Sequence, residues 1–259
     1  MSVLESIIEG VRLDEAARRR SESEMEELIA KAPSPRSPIA KLRGEKLSII
    51  AEIKRSSPSK GNLAEISRPE SLARTYEENG ACVVSVLTEQ RRFKGSLGDF
   101  TLVRNSIDVP MLRKDFMVSE YLIRESRAYG ADVILLIVAA LDDHELRDFY
   151  SLAKELKMDV LVEIHDEYEL DRGMELSPEI IGVNSRNLKS LEVDTSSFQR
   201  ILPLIPDSII KVAESGISDV ADVRMARRAG ADAILVGESL VRSADPGSTI
   251  QNFIAGADT

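Results

Sequence analysis

A chain of 259 residues, 43% of them hydrophobic and 30% charged, can bury a substantial core and is too mixed for a disordered, fibrous or membrane-spanning class. Its formal net charge of −10 argues against a general nucleic-acid or anionic-membrane binder, so an anionic ligand would have to be met by local positive groups. One cysteine, Cys82, cannot form an internal disulfide, and the start MSVLESIIEGVRLDE lacks a basic leader or an unbroken apolar run, which makes the cytoplasm the default compartment.

The first segment carries Leu4, Ile7, Ile8 and Val11 at helical spacing and then a charged stretch from Arg18 to Glu27, which reads as helix with an interruption. APSPRSPIAK follows. Its Pro33, Pro35 and Pro38 remove backbone donors and favour an extended connector. Residues 1–47 are therefore expected to be a helical extension with a proline-rich connector, followed by a second region over 48–259.

From Ser48 onward, short β-branched runs alternate with amphipathic stretches. Strands are expected at 48–54, 82–87, 109–114, 132–138, 159–164, 180–184, 209–214 and 232–237. The intervening stretches read as helices, with Ser119, Asp142 and Ser218 as N-caps. Gly80, Gly130 and Gly230 each stand two residues before a strand, where glycine supplies the left-handed helix stop. Eight apolar strands, each followed by a helix, fit a single α/β (β/α)₈ TIM barrel better than an open doubly wound sheet.

Function in such a barrel collects at the C-terminal ends of the strands, so the polar residues that close the apolar runs matter most. Glu52 and Lys54 share one face of the first run, and Lys114, Glu163, Asn184, Glu214 and Ser215 close later ones. Charges of both signs at successive strand ends can pair across one cavity, whereas a lone buried charge would be costly. Two late glycine elements, Glu214-Ser215-Gly216 and Gly237-Glu238, suit phosphate binding through backbone N–H groups. The turn RSSPSKG, with Ser57 and Lys60, reads either as a solvated turn or as a loop over a charged ligand. His165, two residues beyond Glu163, reads either as a proton carrier or as an exposed loop histidine, and the latter is expected; His144 is expected to be a surface residue and Cys82 a small core residue. These three residues are too few and too scattered for a structural zinc site, and no metal is expected.

In chain order, IIAEIKRSSPSKG, VVSVLTEQRRFKGSLGDF, PMLRKDF, LLIVAAL, LVEIH, IIGVNSRNL, VAESGI and AILVGESL closely resemble the indole-3-glycerol-phosphate synthase family of tryptophan biosynthesis over about residues 1–245. The resemblance implies ring closure of 1-(2-carboxyphenylamino)-1-deoxyribulose 5-phosphate to indole-3-glycerol phosphate, with loss of CO₂ and water and no cofactor. It implies Lys114 as general acid at the ketone oxygen, Glu163 as its acid/base partner, Lys54 as a substrate contact assisting dehydration, and Glu52 orienting the lysines. Asn184 and Glu214 would position hydroxyl or amine groups. Phosphate would lie on Ser215, Gly216, Gly237 and Glu238; a carboxylate beside phosphate is tolerable only if it turns away. Phe93, Phe116 and Leu135 match positions enclosing the anthranilate ring, and Arg186 and Leu188 match further pocket positions.

Two rival functions stay open on the residues alone. Another phosphate-binding barrel such as phosphoribosylanthranilate isomerase would use the glycine turns without needing two strand-end lysines, and a regulatory sugar-phosphate binder would need no chemistry. The expected partner is a small anionic substrate, with no nucleic acid or membrane, and a monomer is the default. The segment before Ser48 is expected to cover part of the barrel and aid substrate binding while leaving a barrel able to fold without it.

Overall fold

The structure, a computed structural model, describes residues 2–257. Eight parallel strands close on themselves: β1 (Ser48–Ile53), β2 (Ala81–Leu87), β3 (Met111–Lys114), β4 (Val133–Ile137), β5 (Asp159–Ile164), β6 (Ile180–Asn184), β7 (Ile210–Glu214) and β8 (Ala233–Val236). Each pairs with the next, and β8 returns to β1 with Ser48 opposite Ala233 and Ala51 opposite Val236. The near-continuous apolar runs are buried on both faces, as a strand wrapped by helices outside and side chains inside requires. A TIM barrel therefore follows from the βα alternation as expected. The third strand begins at Met111 and not at Val109, because Pro110 has no N–H to give to a ladder.

Helices outside the barrel begin where short polar side chains accept backbone N–H groups. Ser119 caps α6 (Glu120–Ala128) and Asp142 caps α7 (Asp143–Glu155). Before α10 (Val220–Arg228) the cap is Asp219, not Ser218: the Asp219 carboxylate accepts from the N–H groups of Ala221 and Asp222, while the Ser218 hydroxyl donates to Asp222. Gly80, Gly130 and Gly230 have φ of 101°, 82° and 104°, the left-handed stops that send the chain into β2, β4 and β8. No described helix is long and apolar enough to cross a membrane.

The segment before β1 comprises α1 (Val3–Arg18), a break at 19–21, and α2 (Glu22–Lys31), each helix opened by a serine capping box. It does more than cover the mouth. Met25 and Leu42 are buried, the Arg36 N–H donates to Asp132 (2.7 Å), and the Ser37 hydroxyl donates to Asp159 (2.6 Å). Asp132 precedes β4 and Asp159 opens β5, so the proline connector crosses the end of the barrel opposite the strand C-termini. Removing this stretch would take one partner from each of two buried carboxylates, Asp132 and Asp159, which keep Arg104 and Lys154.

One buried ion-pair network joins α1 to the barrel. Arg113 of β3, fully buried, donates to Glu125 of α6 (2.9 Å) and to the Thr88 hydroxyl (3.0 Å). Arg18 of α1 grips the same Glu125 through two bonds of 2.9 and 3.0 Å. Burial would push the Glu125 carboxyl up, but Arg113 and Arg18 hold it below the ordinary range. Arg113→Met should leave Asp115 without its guanidinium and Glu125 with one partner in place of two. The expected loss is about 3–5 kcal/mol of unfolding free energy in urea titrations, the cost of breaking a buried pair from one side.

Candidate active site

Alternation along a strand decides which side chains enter the barrel. Glu52, Lys114, Glu163 and Glu214 close the inward faces of β1, β3, β5 and β7, the odd strands that together supply one layer of a (β/α)₈ interior. The even strands make room. Gly182 of β6 stands where a Cβ would lie 2.0 Å from Glu214 Oε1, and Gly237 after β8 where a Cβ would lie 2.5 Å from Glu52 Oε1. Larger residues at either position would displace a carboxylate.

A cavity of about 830 Å³ opens above this layer at the strand C-termini. All the residues expected at the site line it: Glu52, Lys54, Ser57, Lys60, Phe93, Lys114, Phe116, Leu135, Glu163, Asn184, Arg186, Leu188, Glu214, Ser215, Gly216, Gly237 and Glu238. Phe93 and Phe116 form a tilted aromatic pair with centroids 6.2 Å apart. The Phe93 loop is held from beneath, where the buried Glu89 carboxylate accepts the N–H groups of Arg91, Arg92 and Phe93. Arg91 and Arg92 then bond Asp14 and Ser6 of α1, and that helix contributes Leu4 and Ile7 to the cavity. RSSPSKG proves to be a small hairpin, Ser56–Ser57 against Gly61–Asn62, whose tip faces the cavity.

Charges in the cavity come largely paired. Lys114 Nζ lies 2.9 Å from Glu163 and 3.5 Å from Glu214; Lys54 lies 2.7 Å from Glu52, and Lys60 lies 2.8 Å from Glu238. Burial opposes the charge on Lys114, but the fields of Glu163, Glu214 and Glu52 outweigh it and raise its pKa. Glu163 is held below the usual range, because Lys114, His165 and a hydrogen bond from Asn184 overcome its burial. Glu214 goes the other way: burial, joined by the charges of Glu163 and Glu52, raises it against the pull of Lys114. Two carboxyl groups in one layer are thereby split into an ionised and a proton-holding member. Arg186 is the exception to pairing; it donates to the Ser59 hydroxyl (3.1 Å) and the Leu191 carbonyl (3.0 Å) and has no carboxylate partner among the described residues.

In the late glycine turns, Ser215 and Gly216 have φ of 67° and 73°. A Cβ at Gly216 would meet Thr195 at 2.5 Å, so both conformation and space call for glycine there. Glu238 turns its carboxylate toward Lys60 and Arg242. Among the described residues no group of three or more His, Cys, Asp or Glu is disposed to hold a metal ion.

His165 departs from expectation. Its side chain is 11% exposed, not a solvent-facing loop residue, with Nδ1 2.8 Å from Glu169 and Nε2 3.5 Å from Glu163. Its spacing carried the signal: two residues beyond Glu163 a side chain returns to the same face, and Glu169 lies one turn into the next helix. His144, by contrast, is exposed, as expected. Leu4 and Ile7 belong to the apolar stripe expected to cover part of the barrel, and they line the cavity at its mouth.

Comparison with known proteins adds the family. A sequence model of the family described as indole-3-glycerol phosphate synthase matches residues 4–253. Indole-3-glycerol phosphate synthase of Streptomyces griseus is 52% identical over 257 residues, covering 98% of this chain and 96% of the relative. That of Mycolicibacterium vanbaalenii is 51% identical over 259 residues, covering 99% and 95%. Among solved structures, 3-hexulose-6-phosphate synthase from Salmonella typhimurium is similar with a TM-score of 0.66 at 13% identity, covering 82% of this chain and 98% of that one. Thiamine phosphate pyrophosphorylase from Pyrococcus furiosus gives 0.61 at 15% identity, covering 84% and 98%. At such identities these two speak to the barrel alone.

Gly182→Ala tests the packing of the charged layer. The new methyl meets the buried Glu214 carboxylate and Leu161, so stability should fall by about 1–3 kcal/mol in urea unfolding, and a crystal structure should show the Glu214 carboxylate displaced.

Proposed function

The chain belongs to the indole-3-glycerol phosphate synthase family, and from that premise we propose how its pocket closes the indole ring. The enzyme acts on a small phosphorylated substrate, which we take to be 1-(2-carboxyphenylamino)-1-deoxyribulose 5-phosphate. The ring carbon bearing the carboxylate attacks the ketone carbon, the ketone oxygen takes up a proton, CO₂ leaves with its bonding electrons returned to the ring, and water departs as the new alcohol loses its protonated hydroxyl and the adjacent CH₂ carbon loses a proton to a base, forming the indole C=C bond.

Lys114 is the general acid at the ketone oxygen. The observation that carries this role is its ammonium, kept charged between Glu163 and Glu214 at the floor of the cavity. A charged donor fixed before substrate arrives stabilises the oxygen as negative charge develops, without reorganisation. Glu163, ionised beside it, takes and returns protons in the later steps. Lys54, oriented by Glu52, assists loss of the hydroxyl, and Asn184 and Glu214 orient the amine and hydroxyl groups.

Phe93, Phe116, Leu135 and Leu188 supply the apolar wall for the aromatic ring, with Leu4 and Ile7 of α1 closing it from outside. The unpaired guanidinium of Arg186 suits the carboxylate that is lost, while the backbone at Ser215, Gly216, Gly237 and Glu238 suits the phosphate, with Ser57 and Lys60 at the hairpin above. These roles need no cofactor.

Purified protein should convert the substrate to indoleglycerol phosphate, read as indole fluorescence over a chain that has no Trp, and a chelator should leave the rate unchanged. Lys114→Met should lower kcat on the order of 10²-fold or more with a smaller change in KM; a near-normal kcat would remove Lys114 from the chemistry. The paired change Leu4→Ala with Ile7→Ala should instead raise KM several-fold, about 1–2 kcal/mol of lost apolar contact, and leave kcat within about threefold.

A further inference from the structure

A buried histidine stands behind the acid/base carboxylate, and the roles given above do not use it. His165 does not line the cavity, so it cannot touch substrate; whatever it does, it does through Glu163. Its ring is fixed at one end. Nδ1 lies 2.8 Å from Glu169 Oε2, and the same oxygen accepts the His165 backbone N–H at 2.9 Å. Glu169 is itself fixed in the first turn of α8 (Glu167–Met174), its N–H bonded to the Asp166 cap. A carboxylate only accepts, so Nδ1 carries a proton.

The other ring nitrogen then has a restricted choice. Nε2 is buried, makes no hydrogen bond, and has Glu163 Oε1 as its charge partner at 3.5 Å. A bare Nε2 would set a lone pair against a carboxylate oxygen in a dry site, whereas a protonated Nε2 sets a donor there. The other oxygen of the same carboxylate, Oε2, is held by Lys114 at 2.9 Å.

We propose that His165, anchored by Glu169, is a positioning residue for Glu163, steadying Oε1 so that Oε2 is presented to Lys114 and the reacting groups. The inference rests on the reading of Glu163 as the acid/base residue. The distance of 3.5 Å is long for a finished hydrogen bond, in keeping with catalytic contacts that tighten only when substrate is bound. The groups facing the ring are Glu163 on its own strand, Glu169 of α8 and Glu214 of β7, with Lys114 of β3 beyond Glu163. Burial opposes a charged ring, but the bond to Glu169 and the fields of the three glutamates outweigh it and raise the His165 pKa. The imidazolium in turn helps hold Glu163 ionised, so its removal should raise the carboxyl's pKa.

The test combines rate profiles with ring spectroscopy. His165→Leu should lower kcat on the order of 10-fold with KM within about twofold, and should shift the acid limb of the kcat profile to higher pH. His165→Gln, which keeps a donor near Oε1 without the charge, should recover part of kcat but not the limb. Glu169→Gln should move the limb in the same direction as His165→Leu. In ¹⁵N spectra of the otherwise native enzyme, the second histidine signal is removed by His144→Gln, an exposed site, and His165 should remain doubly protonated above the ordinary histidine pKa of 6.5.

A loss of rate equal at all pH values would mark a merely structural residue and overturn the proposal, as would wild-type kcat in His165→Leu. If the leucine variant fails to fold, the glutamine variants and the spectrum decide: an unshifted limb, or a ring neutral at pH 6.5, overturns it. Native protein that makes no indole product would instead overturn the reading of the site and this inference with it.

Discussion

One ammonium, Lys114, set between Glu163 and Glu214 governs the interior of this barrel, with Glu52 held by Lys54 beside it. Glu52, Glu163 and Glu214 would repel one another in a site from which water is largely excluded, and Lys114 is the cation whose charge the layer is arranged around. At short range in a low dielectric the protonation of Glu163 and of Glu214 each depends on the other and on Lys114, so these two carboxyls titrate as a pair. Its composition follows from strand parity: the charged residues occupy odd strands, and the even strands answer with Gly182 and Gly237, the positions at which any side chain would collide with a carboxylate. Geometry and electrostatics are therefore one constraint here. A residue that changes the packing of the layer also changes who holds the proton.

The long N-terminal segment ties this layer to the periphery. α1 lines the cavity at Leu4 and Ile7, bonds the Phe93 loop through Asp14 and Ser6, and ends with Arg18 on Glu125. Glu125 is in turn held by Arg113, the residue before Lys114 on β3. Neighbours on a strand face opposite ways, so β3 carries two buried cations back to back, one fastening the outer shell and the other organising the site. Farther along, the proline connector caps the opposite end of the barrel through Asp132 and Asp159. A segment that touches both ends is better regarded as part of the barrel's packing than as an accessory lid.

Much of this was legible in the chain because periodicity and parity are local. The strand runs were found to within about two residues, and the rule that i and i+2 share a face put Glu52 beside Lys54 before any coordinates. What escaped was set by tertiary partners. His165 read as a loop residue because its spacing from Glu163 and from Glu169, though suggestive, does not say that the loop turns the ring inward between them. The cap of α10 was misassigned by one residue because Ser218 and Asp219 are both good capping types and only backbone geometry chooses between them. The stripe of α1 pointed to the barrel, and what it could not name were the individual partners, Arg92 of the Phe93 loop and Glu125 of α6.

The pattern of pairing also changes how anion recognition must be understood. A chain of net charge −10 with carboxylates at five places around its cavity is not an electropositive trap. Lys54, Lys60 and Lys114 each already hold a glutamate, so an entering phosphate or carboxylate competes with an internal anion instead of meeting a bare cation. The net gain from each lysine is then the difference between two ion pairs, which is small, whereas the Arg186 guanidinium, bonded to a hydroxyl and a carbonyl, has no carboxylate to give up. Such exchange has a chemical consequence. Of the three pairs, Lys114–Glu163 is the one in which the carboxyl is held below its usual range, so a substrate oxygen that drew Lys114 away would raise Glu163 and ready it to take a proton.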